Sequence, residues 1–475
     1  MLFAVATSMI GVIALSRELP EPESVHACRP YVALAFPAFF LLMGIEFALQ
    51  QIYGASSTGR YDFKDTFGSM ASGAVQRVLI KLVIGPAIGM GPYLAVYRYG
   101  REAGFPSLLP PVGGTRSEIP AGHWLAAHAA SALLVDFCYY WLHRANHTTV
   151  LWLGHSVHHD SDRYNLSTAT RQGILQAATA FAFYLPLALI LPPRSFLTHK
   201  SINIVYQFWV HTTLIRRLGP YEWFFMTPSH HRVHHDRRVH KNFGGVLVIW
   251  DKLFGSFLDE DEKLKSGEGR DAASREPWAE KCFFGQRRPM ASVGSGLHQL
   301  DEPLSHFGTV GALVRRRRIV AAANALYRGP GWHTAGLRRR NALPETSSAP
   351  RVRLPPTAVP VGTQLYVGAA STLSLLLILQ LLISKAAPGD PEPAAIGATI
   401  VTALLGQSLL LDGVRGGWPL EAVRAAATAA VWFSTLGDSP MSPIVCGGTA
   451  LTFVAPLLSL AVPRSASGSI PSKRQ

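Results

Sequence analysis

The chain has 475 residues, 48% of them hydrophobic and only 16% charged, with a mean hydropathy of +0.18. A soluble domain carries about a quarter charged residues, so this balance argues against a soluble globular protein and for a membrane protein. Lys and Arg outnumber Asp and Glu by 44 to 30, a net charge of +14, but the runs Arg315 to Arg318 and Arg338 to Arg340 flank hydrophobic segments with no nucleic-acid-binding module, so they read as cytoplasmic loops facing anionic lipid, and no nucleic-acid partner is expected.

In chain order, Leu2 to Leu15 is a short apolar segment, read as an uncleaved, partly inserted helix. A bilayer takes about 20 apolar residues to cross, and Tyr31 to Ile52, Val75 to Tyr97, Trp124 to Leu142 and Ile174 to Leu191 qualify as spans, with Ile202 to Leu214 a shorter embedded or interfacial helix. Residues 261–360 turn polar, basic and rich in Gly, Ser and Pro, as a partly disordered cytosolic region does. Leu365 to Ser384, Ala394 to Leu411, Ala422 to Leu436 and Ile444 to Val462 then read as further spans. The domain division is 1–120 for N-terminal membrane helices, 121–260 for a catalytic domain, 261–360 for the basic region and 361–475 for C-terminal helices and tail. The fold class is all-α, a multi-span integral membrane protein with a cytosolic, histidine-rich helical cap holding a di-metal site.

Twelve of the eighteen histidines fall between His143 and His240. His143 and His147 are spaced i, i+4; His155, His158 and His159 are spaced i, i+3, i+4, and His231, His234 and His235 repeat that pattern. On a helix each set shares one face. Eight imidazoles exceed what one ion takes, and with His211 as a ninth they suit two ions of four or five ligands each. The four cysteines, Cys28, Cys138, Cys282 and Cys446, show no CxxC spacing, so the ligand set is nitrogen. Two irons with open positions suit dioxygen activation, and the membrane location suggests a lipid substrate; a two-zinc hydrolase using Asp160 or Asp236 as a bridging carboxylate remains an alternative.

Asp136, seven residues before His143, is expected to accept a ligand's second ring N–H and fix its tautomer. An acid within a span is costly enough that function is its default, so Glu46 is marked as well, although the sequence names no partner for it. Tyr164, Asn165, Thr168 and Arg171 are candidates for orienting the polar end of a substrate or a cofactor, with loop capping the equal alternative. His230 breaks the ligand face and reads as a neighbour of the site; His199 and His240 read as surface residues.

The strings DFCYYWLHRANH, GHSVHHDSDRYNLSTATRQ, QFWVHTTLIRRLGP and TPSHHRVHHDRRVHKNFGGVLVIWDKLFGSF resemble the fatty acid hydroxylase and sterol desaturase superfamily of membrane di-iron enzymes, and within it the alkylglycerol monooxygenase family. The early block GRYDFKDTFGSMASG and the later GPGW resemble the same family. The resemblance implies two iron ions, dioxygen as co-substrate and tetrahydrobiopterin as cofactor, with cleavage of an alkylglycerol ether bond into a fatty aldehyde and a glycerol derivative. It implies metal ligation by His143, His147, His155, His158, His159, His211, His231, His234 and His235, catalytic support by Asp136, Tyr164 and Asn165, and cofactor contact by Arg171. It also implies a multi-pass endoplasmic reticulum protein with its site facing the cytosol and a pterin-recycling reductase as partner. The family has Glu directly after the second histidine of HxxxH; here that residue is Thr148, with Asp160 and Asp162 the nearby carboxylates. Sterol or fatty-acyl hydroxylation or desaturation, and a non-catalytic protein with a degenerate site, are the other readings.

Overall fold

The computed structural model of the chain describes residues 31–55, 59–85, 90–109, 120–173, 176–236, 241–260, 359–383, 391–414 and 416–435, with positions 445 and 447. These residues are helical apart from turns and one isolated bridge between Phe225 and Leu247; no strand occurs among them. They form two compact units, the first running from 31 to 260 and the second from 359 to 381 and 391 to 435.

In the first unit the helices are α1 (Tyr31–Tyr53), α2 (Phe63–Leu79, continued by the π-turn Ile80–Ile84), α3 (Gly91–Glu102), α4 (Ala121–Asn146), α5 (Thr149–His155), α6 (Gln176–Tyr184), α7 (Pro193–Trp209), α8 (Pro228–His235) and α9 (Ile249–Leu253). The second unit holds α10 (Val361–Ile383), α11 (Glu392–Leu411) and α12 (Gly417–Thr435). Local chemistry sets several boundaries. Asp62 caps α2 by accepting from Asp65 N at 3.1 Å. Pro193 and Pro228 open α7 and α8, where the missing N–H costs nothing.

Among the described residues, five helices are long and apolar enough to cross a membrane: Tyr31–Tyr53, Phe63–Ile84, Ala121–Asn146, Val361–Leu382 and Glu392–Leu411. Four of these coincide with expected spans. The fifth replaces the expected Val75 to Tyr97: the helix begins at Phe63, and α3 is a separate helix that opens at Gly91 with Pro92 in its first turn. Ile174 to Leu191 is also revised. It holds only the nine-residue α6 and a 3-10 turn, Leu185–Leu189, with Pro186 at the junction. The expected Ile202 to Leu214 becomes α7, which starts at Pro193 and stops before His211. The apolar runs near residues 2–15 and 444–462 and the basic region 261–358 lie outside the described residues, the two helical positions 445 and 447 apart.

The first unit's packing places the histidines. α4 packs on α6 and α7, α1 on α7, and α2 on the 3-10 turn Leu166–Thr170. One apolar core joins Tyr93 of α3 with Val135 and Leu142 of α4 and Phe196 of α7; a second joins Phe39 and Met43 of α1 with Leu166 and Phe208. Two glycines permit close backbone approaches. A Cβ on Gly73 would lie 2.1 Å from Thr170 O, and one on Gly173 would lie 1.8 Å from Gly154 O, next to His155. Residues on both sides of position 120 thus share one packed unit.

Candidate metal centre

Among the described residues, nine buried histidines converge in two clusters. His143, His147, His155, His159 and His234 form one; His158, His211, His231 and His235 form the other. Within each, one nitrogen per ring lies within 4.8 Å of all the others. Two nitrogens each about 2.1 Å from one ion are at most about 4.2 Å apart, so small side-chain movements suffice for each set to share an ion. α4 supplies His143 and His147 from its C-terminal turn. The second motif is not one helical face: α5 ends at His155, and the chain tightens into a 3-10 turn at Ser156–Asp160. That change of winding sends His155 and His159 to one cluster and His158 to the other. α8 divides likewise, His234 from His231 and His235.

The main chain fixes the rings. His143 Nδ1 donates to Phe243 O at 2.8 Å, His158 Nδ1 to Arg171 O at 2.8 Å, His211 Nδ1 to Gln207 O at 2.8 Å and His234 Nδ1 to Lys241 O at 3.0 Å. A carbonyl only accepts, so each of these Nδ1 atoms carries the proton and each Nε2 is a lone pair. His158 Nε2 and His211 Nε2 nonetheless face each other at 3.2 Å, and His234 Nε2 is buried without a hydrogen-bond partner. Two lone pairs at that distance repel unless a cation lies between them. The donor set therefore fits a metal.

Burial also keeps the rings neutral, as ligands must be. It pushes His158 down to about 4 and holds His155, His159, His231, His234 and His235 well below the ordinary histidine range, with mutual repulsion among the rings adding to the effect for those five. Aromatic walls enclose the rings. Trp152 lies 5.1 Å from His147 and 5.4 Å from His159, Phe243 lies 5.1 Å from His147, and Tyr164 lies 5.1 Å from His235. Neither cluster includes a carboxylate among the described residues.

The other sequence candidates take different places. Asp136 does not reach a histidine: seven residues of helix put it about 10 Å along the axis from His143. Its carboxylate accepts instead from Asn203 Nδ2 (2.7 Å), Val246 N (2.8 Å), Leu247 N (3.0 Å) and Trp250 Nε1 (2.9 Å), pinning the loop after α8 to α4 and α7. Tyr164 is fully buried and donates to Val210 O at 3.0 Å. Asn165 caps the Leu166–Thr170 turn in a capping box with Thr168. The Arg171 guanidinium is committed to Asp65 (2.9 Å) and Ser69 (3.1 Å), while its carbonyl serves His158. Thr148 donates to Ala145 O at 2.6 Å at the start of α5. His230 stays outside both clusters, its ring against Phe257. His199, expected at the surface, is buried 3.0 Å from His128, because the early start of α7 puts it mid-helix against α4. His240 lies outside the described residues.

Two supporting acids and one base went unread in the sequence. Asp251 accepts from Phe243 N and Gly244 N at 2.7 Å each, holding the loop that fixes His143 and His234. Arg232 binds Glu260 at 2.8 and 3.0 Å and the carbonyls of Thr212, Ile215 and Arg216, tying α8 to the segment after His211. The only signal for Arg232 was its place inside HHRVHH, off the ligand face.

Residues 128–256 match the fatty acid hydroxylase family. The chain is 39% identical to human alkylglycerol monooxygenase over 249 residues, 52% of each protein. It is 47% identical to the Xenopus tropicalis alkylglycerol monooxygenase over 148 residues, 30% of this chain and 33% of that one. An ornithine lipid hydroxylase of Rhizobium tropici is 30% identical over 131 residues, 26% of this chain and 40% of that one. The chain spans about half the length of the human relative. No solved structure matches it. The matched stretch runs from within α4 to just beyond α9 and contains all nine clustered histidines, so the segment that bears both clusters is the part of the chain similar to the fatty acid hydroxylase family.

Proposed function

We propose that the protein is a di-iron membrane monooxygenase that cleaves the ether bond of alkylglycerols. The observation that carries this reading is the pair of all-imidazole clusters, five and four rings, inside a segment similar to proteins named alkylglycerol monooxygenase. His143, His147, His155, His159 and His234 would hold one iron, and His158, His211, His231 and His235 the other. Bound there, the iron pair supplies dioxygen activation, and tetrahydrobiopterin supplies the electrons. Nine neutral imidazoles leave the ions' charge uncompensated, which favours an oxidising centre. The Nδ1 bonds to main-chain carbonyls fix the rings, so ligand geometry is set before binding. Burial excludes water from the reacting chain. Hydroxylation of the alkyl carbon beside the ether oxygen gives a hemiacetal, which collapses to a fatty aldehyde and a glycerol derivative.

Asp136, Asn165 and Arg171 would contribute by holding the loops around the ligands, and Tyr164 by walling the four-histidine cluster. We place the protein in the endoplasmic reticulum membrane with both clusters facing the cytosol, a reading supported by the basic runs between spans. A separate reductase would return the oxidised pterin.

Membranes containing the protein, given an alkylglycerol, dioxygen and tetrahydrobiopterin, should yield fatty aldehyde. Iron-loaded protein that yields none rules this function out. The ornithine lipid hydroxylase relative favours a second reading, hydroxylation of another lipid, which would leave a stable hydroxylated product and no aldehyde.

A further inference from the structure

We infer that Glu46 is a positioning residue that builds the four-histidine centre and not its five-histidine neighbour, which makes the N-terminal helices part of the metal site. The inference rests on the di-metal reading above. Glu46 lies within the apolar α1, outside the segment matching the family, and is only 2% exposed. A carboxylate in such a helix is costly unless it is well partnered. Glu46 Oε2 accepts from Tyr61 Oη at 2.7 Å and Leu166 N at 2.8 Å, and Oε1 accepts from Thr212 Oγ1 at 2.5 Å.

The last two donors lead to one cluster. Thr212 directly follows His211. Leu166 opens the turn that follows Tyr164, whose ring lies 5.9 Å from His211 and 5.1 Å from His235. Asp65 of α2 acts in the same direction. It accepts from Arg171 Nη2 at 2.9 Å and from Asp162 N at 2.9 Å, and the Arg171 carbonyl fixes His158. The five-histidine cluster is held from the other side, by the Phe243 and Lys241 carbonyls and by Asp251. Three donors converge on Glu46, and only a carboxylate presents acceptors alone. An amide would turn N–H toward at least one of them.

The test is cobalt(II) titration of the purified full chain in detergent, read by visible absorption and by metal per chain. The unsubstituted protein should bind two ions. Two backgrounds separate the clusters: His147→Ala with His234→Ala leaves the four-histidine cluster intact, and His158→Ala with His211→Ala leaves the five-histidine cluster. Glu46→Ala should weaken cobalt binding at least about tenfold in the first background and change it less than about twofold in the second, the range typical of lost outer support. Equal losses in both backgrounds, as a general folding defect produces, overturn the inference. Thr212→Val removes one donor and keeps the side-chain volume. It should weaken binding in the first background only, and no change in either background overturns the inference. An unsubstituted protein that binds fewer than two ions refutes the di-metal reading itself.

Discussion

The two histidine clusters are built from the same motifs but held by different parts of the chain. The four-histidine cluster leans on α1 through Glu46 and on α2 through the Asp65–Arg171 pair. The five-histidine cluster leans on the loop after α8, where Asp251 binds two backbone N–H groups and Asn242 sits at φ 59, a left-handed conformation that Asn tolerates better than most residues. Ligands that alternate along the His155–His159 segment and along α8 thus receive their support from different parts of the unit. Neighbouring residues in sequence can therefore respond differently to the same distant substitution.

The comparison breaks most completely if a ligand is removed. His211→Ala and His234→Ala should each abolish aldehyde formation, the first by emptying the four-histidine cluster and the second the five-histidine cluster, as metal analysis of each variant will show. Next in size is Asp65→Ala, which strands the buried Arg171 guanidinium and should cost about 3–5 kcal/mol in thermal unfolding. Pairing it with Arg171→Met should recover only part of that loss, because it removes the stranded guanidinium but leaves Ser161 Oγ, Asp162 N and Arg163 N without their acceptor. Asp251→Asn should cost about 1–3 kcal/mol and weaken metal binding at the five-histidine cluster selectively.

Acid should erode both clusters in the metal-free protein. The unfolded chain takes up protons below about pH 6.5, whereas His158 stays neutral in the fold down to about 4. Stability present above that range is therefore lost as the pH falls through it, measurable as a falling unfolding temperature. A metal-free protein whose stability is flat between those values contradicts the burial of the rings. The smallest effect is expected for Tyr164→Phe, which keeps the ring against His211 and His235 and loses one hydrogen bond. It should cost about 0.5–1.5 kcal/mol and leave turnover within a few-fold. A large fall in kcat would instead assign the hydroxyl a chemical role.

Eight of the nine histidines stood out in the sequence by their i, i+3 and i+4 spacing, whereas His211, alone in QFWVHT, was a candidate only beside them. Their partition was not legible, since it depends on the chain tightening at Ser156–Asp160, where helical periodicity ceases to apply. Asp136 was legible as a buried acid, but its partners come from α7 and from the loop before α9, and no local pattern points there. For Glu46 two of the three donors are 120 and 166 positions away in sequence. The span boundaries went astray between Val75 and Tyr97, where the helix starts at Phe63 and α3 opens anew at Gly91, and at Pro186, where hydropathy continues but the α-helix gives way to a 3-10 turn.

The reliance on main-chain carbonyls to orient the rings bears on how this centre tolerates sequence drift. Gln207, Lys241 and Phe243 each direct a histidine through an atom that every amino acid possesses. Their side chains can be exchanged without altering the tautomer of the ring they face, provided the local backbone path is kept. The information that orients His143, His211 and His234 is thus stored in the shape of the chain, where point substitution seldom erases it.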